Sequence, residues 1–405
     1  MPSKQAKLIV AAITLIVIAI LISSSGRDQF LLVRTSVVTA TAESIVLPPN
    51  SIPIPDSPLK ESVIAAGEYM VRQQLTNGEL SYQVDFQSGA REYSPSNIRL
   101  IAGTGALYTV CRVSRQGKYC DAGDLALDRY LDLLITEPKQ FTGTCLYTNG
   151  TCELGGSALA VDTIYKRWQV KGDMELGEHN LRHIAVELGK FIVSLRKPEG
   201  GFYHAFDPHY GGTADPDYYS IYSPGESLLA LTELYEMTGN PLWLTQAREV
   251  NDYMITQPIT EDHWHSYAFA MLARLDQLTE ADKKYANEIA HVVIDGGVRS
   301  LSAKNSSISS ATKIEALAAL AEAFHLSNEK HDWLDDDIRT FITFVRARQL
   351  PDNNCNWAIS DQMTERYGGG IFSSCDDPSI RVDGQQHYIN GVTAYLEYQV
   401  MSAEK

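Results

Sequence analysis

The chain is short of positive charge. Its 405 residues carry 34 lysines and arginines against 50 aspartates and glutamates, a formal net charge of −16. Proteins bind nucleic acid by neutralising phosphates with cations, so this balance argues against such a partner. Glycine and proline are not in excess, at 28 and 16, which excludes a low-complexity chain and leaves sequence enough for a large core. There is no phosphate-binding loop, dinucleotide fingerprint, CxxC pair or Cys/His cluster. No motif therefore calls for a nucleotide or a metal, and no cofactor is expected. No long strand pattern competes with the helical periodicity.

What is present begins at the N-terminus. Lys4 and Lys7 precede residues 8–22, which are apolar apart from Thr14. Residues 1–26 therefore read as a targeting or anchoring segment. No clean Ala-x-Ala site follows, which favours an uncleaved membrane anchor over a cleaved signal. Residues 27–58 contain Pro48, Pro49, Pro53, Pro55 and Pro58 and read as an extended stalk. Either reading exports the remainder, residues 59–405, to a periplasmic or extracellular space. The six cysteines fall as close pairs, Cys111/Cys120, Cys145/Cys152 and Cys355/Cys375. Short-range pairs suit loop-stapling disulfides in an oxidising compartment, although six cysteines allow fifteen connectivities.

Apolar periodicity and breakers predict twelve helices, at about 59–75, 96–114, 121–136, 155–169, 178–196, 224–238, 241–256, 263–277, 280–296, 310–326, 333–349 and 385–402. Odd members are amphipathic. Even members, such as the run Ala316-Leu317-Ala318-Ala319-Leu320-Ala321, are apolar nearly all round and so belong inside. Six outer and six inner helices make an all-α, (α/α)6 toroid, with an open solenoid of hairpins as the alternative. Connections from inner to outer helices are short and those from outer to inner are long. A closed ring would gather the long loops on one rim, where the inner helices begin.

One phrase recurs in those long loops. Gly78-Glu79-Leu80-Ser81-Tyr82, Gly200-Gly201-Phe202-Tyr203 and Gly368-Gly369-Gly370-Ile371-Phe372 each precede a polar loop and an inner helix. The middle copy leads to Ser223-Pro224-Gly225-Glu226, an inner helix, and the turn Thr238-Gly239-Asn240-Pro241 before Leu242-Trp243-Leu244. This hairpin resembles one in the six-hairpin (α/α)6 carbohydrate-active enzymes. That superfamily includes glycoside hydrolases, sugar epimerases and the C-terminal domain of glucuronyl C5-epimerases. The resemblance covers about one hairpin of six and implies a fold; it carries over no catalytic residue. Terpenoid and lanthionine cyclases share the toroid. The paired cysteines weigh against a lanthionine cyclase, and Asp335-Asp336-Asp337 sits where a helix start simply favours acids.

The polar residues at the inner-helix starts are the functional candidates. Glu226 stands in the first turn of its helix, after a loop with Asp207, Asp215, Asp217, Tyr219 and Tyr222. It is either a helix-start acid or one of the two carboxyl groups that glycoside hydrolysis needs. Arg381, Asp383, Gln386, His387 and Asn390 form the densest polar set. Polar groups on a buried helix need partners, and a ligand or a watery mouth would supply them. Asp383 is the candidate second carboxylate and His387 a candidate acid or base. Asn97 and Arg99 open the first inner helix, where an arginine fork with Arg381 would suit a uronic acid. His263, Trp264 and His265 open the fourth, with Trp264 either a stacking platform or core. Lys313 and Glu315 enter the fifth as an ion pair or a spare carboxylate.

These readings converge on a carbohydrate-active enzyme. Paired-carboxylate hydrolysis by Glu226 and Asp383, with His387, stands first. Asn97, Arg99, Asp217, Tyr219, Tyr222, Trp264, His265, Arg381, Gln386 and Asn390 would shape the substrate site. Epimerisation or lyase chemistry on a uronate would instead require histidine, tyrosine and arginine to converge. A non-catalytic glycan- or protein-binding module would show an aromatic mouth without paired acids.

Overall fold

The computed structural model describes residues 52–92, 97–137, 140–148, 150–207, 213–214, 219–295, 302–329 and 331–403. The expected N-terminal anchor and nearly all of the stalk lie outside them, as do Tyr93, Asp215 and Asp217. No helix among the described residues is long and apolar enough to cross a membrane.

All twelve expected helices are present. Six form an inner layer: α2 (Asn97–Ser114), α4 (Leu154–Lys171), α6 (Ser223–Thr238), α8 (His263–Arg274), α10 (Ser307–Leu326) and α13 (Val382–Ala403). Each packs on the next, and α13 packs back on α2, so the ring is closed. An open solenoid is thereby ruled out. The outer layer is α1 (Pro58–Gln73), α3 (Gly117–Leu131), α5 (Leu181–Ser194), α7 (Pro241–Met254), α9 (Glu280–Asp295) and α11 (Trp333–Arg346). A short α12 (Asp361–Tyr367) was not expected and lies in the last long loop.

Local chemistry sets the helix ends. Ser57 caps α1 by accepting from Lys60 N at 3.2 Å, with Pro58 in the first turn. Asn240 caps α7 by accepting from Leu242 N at 3.1 Å, again with a proline following. The outer α11 buries Leu334, Ile338, Phe341, Ile342 and Val345 on one face. The inner α10 is buried nearly all round, including Lys313 and Glu315. The core therefore lies between the two layers, as the contrast in amphipathicity implies. Asp335 in the first turn of α11 is held by Arg339 at 2.7 Å and accepts from Tyr395, a structural role for the acidic run.

Among the described residues there are eleven short strands, nine of them in the rim loops, which the helical pattern did not reveal. The longest, β11 (Asp377–Arg381), spans five residues. It pairs with β10 (Phe372–Ser374) and with β1 (Gln83–Asp85), which in turn pairs with β2 (Arg91–Glu92). This sheet ties the first rim loop to the last and sets Gln83 opposite Arg381. A second sheet runs in the order β3 (Leu134–Ile135), β4 (Cys145–Thr148), β5 (Thr151–Glu153), β8 (Ala205–Asp207) and β9 (Thr213–Ala214). The remaining pair is β6 (Glu175–Leu176) with β7 (His179–Asn180). Disulfides join Cys111 to Cys120, Cys145 to Cys152 and Cys355 to Cys375, the neighbour pairing.

The recurrent glycine phrase is a single backbone device. Leu80 bridges Gln74, Phe202 bridges Arg196, and Ile371 bridges Gln349. Two residues before each bridge stands a glycine in the left-handed region: Gly78 at φ 89°, Gly200 at φ 114° and Gly369 at φ 85°. The amide of Leu75, Lys197 or Leu350 donates to the carbonyl of Glu79, Gly201 or Gly370 in turn. The chain leaves an outer helix, reverses through the glycine and enters the rim.

Candidate functional site

The inner helices start together at one rim, and their first two or three turns carry the polar side chains. The centre of the arrangement is Glu315, in α10, with no solvent exposure. Its Oε2 lies 2.6 Å from His387 Nδ1 and 3.6 Å from His263 Nε2. Its Oε1 accepts from Gln386 Nε2 at 3.2 Å and from Tyr267 Oη at 3.3 Å. Burial raises the Glu315 pKa, and His387 opposes that rise. Three inner helices, α8, α10 and α13, thus supply one cluster.

His263 is the unsettled member. It is 3% exposed, and neither ring nitrogen has a hydrogen-bond partner. A buried imidazole with two unpaired nitrogens is costly, and a bound group would relieve it. Burial, reinforced by the charge on His387, holds the His263 pKa well below the usual range, so the ring is neutral. Its ring centroid is 5.0 Å from that of His387 and 5.5 Å from that of Tyr222, which is partly exposed. Trp264 packs beside it and is 3% exposed.

Donor atoms of His263, Glu315 and His387 lie within 4.8 Å of one another. Two imidazoles and a carboxylate are a donor set that can hold a divalent cation. The set comes from three helices far apart in the chain, so no sequence spacing announced it.

A second group sits on the same rim. Asp383 receives Arg381 through two contacts, at 3.0 Å and 2.5 Å. Arg99 reaches it at 3.3 Å, and the Gly384 amide donates to it at 3.0 Å. Both guanidinium groups lie over the Tyr82 ring, and Arg99 donates to the Tyr82 hydroxyl at 2.6 Å. The carboxylate therefore serves as a fixed post for two arginines. The Arg99 side chain remains 47% exposed, so it faces solvent at the mouth.

Glu226 is buried, in the first turn of α6, with Oε2 unpartnered. A Cβ on Gly155 would collide with that oxygen, so glycine at this point of α4 makes the space Glu226 occupies. Burial, then the charges of Asp262 and Glu153, push its pKa well above the ordinary carboxylate value. Asp262 caps α8 by accepting from Trp264 N at 3.0 Å, and burial pushes its pKa up to about 8.

The other candidates are spread more widely. Gln386 joins the Glu315 cluster. Asn390 accepts from Thr109 Oγ1 at 3.1 Å, deeper in the barrel. Tyr219 is exposed and packs against His204, with centroids 5.0 Å apart. His265 does not face the lumen. It stacks on Phe269 at 4.3 Å, and its Nε2 meets Asn251 of α7 at 2.9 Å, between the layers. Asn97 opens α2, but its side chain, like all of Asp217, lies outside the described residues. Lys313 bonds Glu261 at 2.8 Å and the Val293 carbonyl at 2.7 Å, leaving Glu315 to the histidines. Tyr82 and Tyr267 were not among the expected candidates, and Glu315 was expected only as an ion-pair member or spare carboxylate. Glu315 and His263 were visible only as a polar residue on an apolar helix and as half of a His-x-His run.

No protein-family model matches the chain, and no curated protein matches it in sequence. Solved structures do match its fold. A cellobiose 2-epimerase from Bacillus thermoamylovorans superposes with TM-score 0.61 at 12% identity, over 84% of this chain and 98% of the other. An unsaturated glucuronyl hydrolase from Bacillus sp. gives 0.56 at 14%, over 82% and 96%. A cellulase of C. cellulolyticum gives 0.57 at 9%, over 85% and 99%. The barrel shares the (α/α)6 fold of these proteins. Within that fold the cluster of His263, Glu315 and His387 and the arginine pair on Asp383 occupy the rim where the inner helices begin.

Proposed function

We propose that the protein is an exported carbohydrate-active enzyme that moves a proton on a sugar carbon, as an epimerase or isomerase does. The observation that carries this reading is the pair of histidines on Glu315. One is neutral and unpartnered, and the other is tied to a carboxylate. Two like groups whose surroundings differ in this way suit opposite acid–base roles. His263 takes a proton from a carbon beside a carbonyl or carboxylate. The C–H electron pair moves onto the carbonyl oxygen. His387, steadied by Glu315, returns a proton from the other side, and the configuration at that carbon inverts. Arg99 and Arg381 offer a planar cationic face for a uronate carboxylate. Tyr222 offers an apolar ring for the sugar face.

Epimerases and hydrolases both stand among the proteins of similar fold, which supports the carbohydrate class and leaves the reaction to the site. Glycoside hydrolysis is the second reading, favoured by Glu226. Its raised pKa and free oxygen suit a general acid. Asp383, however, has its oxygens taken up by Arg99, Arg381 and the Gly384 amide, which leaves it little freedom as nucleophile or base. Export rests on the apolar N-terminal run and on the three disulfides. The anchor at 1–26 and the stalk at 27–58 would hold residues 59–405 off the membrane, facing a glycan or free sugar.

The test is incubation with reducing disaccharides and uronic-acid oligosaccharides in D2O. Epimerisation predicts solvent deuterium at one sugar carbon without new reducing ends. New reducing ends, lost in Glu226→Gln and kept in His387→Asn, would replace it with hydrolysis. Activity lost on chelation and restored by a divalent cation would make the histidines metal ligands and sink the acid–base assignment.

A further inference from the structure

Beneath the rim cluster the barrel bore continues as a cavity of about 630 Å³, lined by all six inner helices and reaching their C-terminal ends at Arg274, Leu326 and Met401. The reaction proposed above uses none of it. The volume falls within the range of about 300–1,000 Å³ typical of small-molecule sites.

Three cations along this bore are each paired with an acid, while Glu236 is held only by the Tyr165 hydroxyl at 2.7 Å. Arg112 binds Glu397, Arg274 binds Glu322 with one contact at 2.8 Å, and Lys166 binds Asp162 at 2.8 Å. Three lining side chains keep a polar atom without a hydrogen-bond partner, the first being the amide nitrogen of Asn390. Thr393, 1% exposed, has a hydroxyl with no partner. Glu233, 2% exposed, has Oε2 with no partner. Burial and the charge on Asp162 raise the Glu233 pKa well above the ordinary value. Between these groups the wall is aromatic: Trp168, Trp264 and Tyr267 all line the space.

We propose that this lower bore is a second binding site, for a small neutral polyhydroxylated molecule such as a monosaccharide, disaccharide or cyclitol. An anionic ligand finds no free cation here, because Arg112, Lys166 and Arg274 are each taken up by an acid. A neutral polyol satisfies the Thr393 hydroxyl and the Glu233 carboxyl and lays its C–H faces on the rings. Tyr267 and Trp264 stand between the bore and the rim cluster, with Trp264 packed beside His263. Tyr267 both lines the bore and donates to Glu315.

The experiment is equilibrium binding of D-glucose, cellobiose and myo-inositol to full-length protein, by calorimetry or saturation-transfer NMR. It is done in a His387→Asn background to weaken binding at the rim. Saturable binding is expected there. Thr393→Val, which keeps the side-chain shape and removes one hydrogen bond, should weaken it about tenfold. Ala394→Phe, which fills the bore, should abolish it. Absence of saturable binding by all three probes would mean that the cavity holds only water and overturns the proposal. Binding unchanged by both Thr393→Val and Ala394→Phe overturns it as well, by putting the ligand elsewhere.

Discussion

His387 Nδ1 and Glu315 Oε2 meet at 2.6 Å across 72 positions of chain, inside a barrel wall. A contact this short between an imidazole and a fully buried carboxyl fixes the ring and holds a proton between the two groups. His263, unpartnered on the other side of the same carboxyl, gives the cluster its asymmetry. The acid–base reading rests on that relationship, and it separates the two residues by role.

His387 touches substrate in this reading, whereas Glu315 acts through it. His387→Asn should therefore lower kcat by about 10²–10⁴-fold, the usual worth of a general acid or base. Glu315→Gln keeps the shape and removes the charge. It should lower kcat less and leave KM nearly unchanged, since Glu315 acts on the substrate only through His387. Deuterium wash-in at the reacting carbon is the readout, with circular dichroism to confirm folding. Equal activity in His387→Asn and the wild type would end the assignment.

The arginine pair makes a prediction about substrate charge. Arg99 and Arg381 are already held by Asp383, so their orientation costs nothing at the moment of binding. Arg99→Ala should raise KM for a uronate-bearing substrate at least several-fold and leave a neutral analogue unaffected. The preference for the uronate should also shrink with added salt, because Arg99 is half exposed. A variant that loses both substrates equally would point to damage at the rim rather than to carboxylate recognition.

The barrel itself was legible because its signal is compositional. Helices of alanine, glycine and leucine must lie inside, amphipathic ones outside, and the asymmetry of loop length then names the rim. The short strands were not legible, because ladders of two to five residues show no alternation long enough to read. The candidate site was legible in part. Asp383, Gln386 and His387 cluster in sequence, and the structure sets them on one rim, Asp383 under two arginines and the other two on Glu315. Glu315 was masked by its neighbours, a single acid ahead of a long Ala/Leu run. His263 and His265 are two apart on a helix and point to nearly opposite faces. One enters the lumen while the other packs against α7, and sequence alone does not say which.

The glycine phrase predicts a stability contrast. Gly369 has φ 85°, and a Cβ there would collide with the Ala65 carbonyl. Gly369→Ala should destabilise the barrel by about 1–3 kcal/mol or more, since it adds backbone strain to a clash with rigid main chain. Gly117, at the start of α3, has ordinary φ and no atom within 4 Å of a Cβ. Gly117→Ala should be neutral or stabilising by about 0.4–1 kcal/mol through the unfolded state. Denaturant melts of the two variants measure the contrast. A Gly369→Ala protein as stable as Gly117→Ala would mean that the turn is not under the constraint described.

The last prediction concerns pH. Asp262 has a folded pKa of about 8 against an ordinary 3.8, because burial disfavours its charge. Between those values the folded protein keeps a proton that the unfolded chain releases. The stabilisation from Asp262 is therefore whole in acid and is lost as pH rises towards 8. His265 works in the opposite sense. Burial lowers its pKa from 6.5 to about 3, so below pH 6.5 the unfolded chain takes a proton that the folded ring refuses. Stability should thus fall on both sides of a maximum. Asp262→Asn keeps an oxygen to accept from Trp264 N and removes the ionisation. Its Tm should fall less steeply than that of the wild type between pH 6.5 and 8, while the acid limb stays in place. Glu226 and Glu233, both raised, should leave a residual alkaline slope. Thermal melts across this range decide it: an unchanged slope in Asp262→Asn would mean that Asp262 is already ionised at neutral pH, and that the start of α8 is wetter than its burial implies.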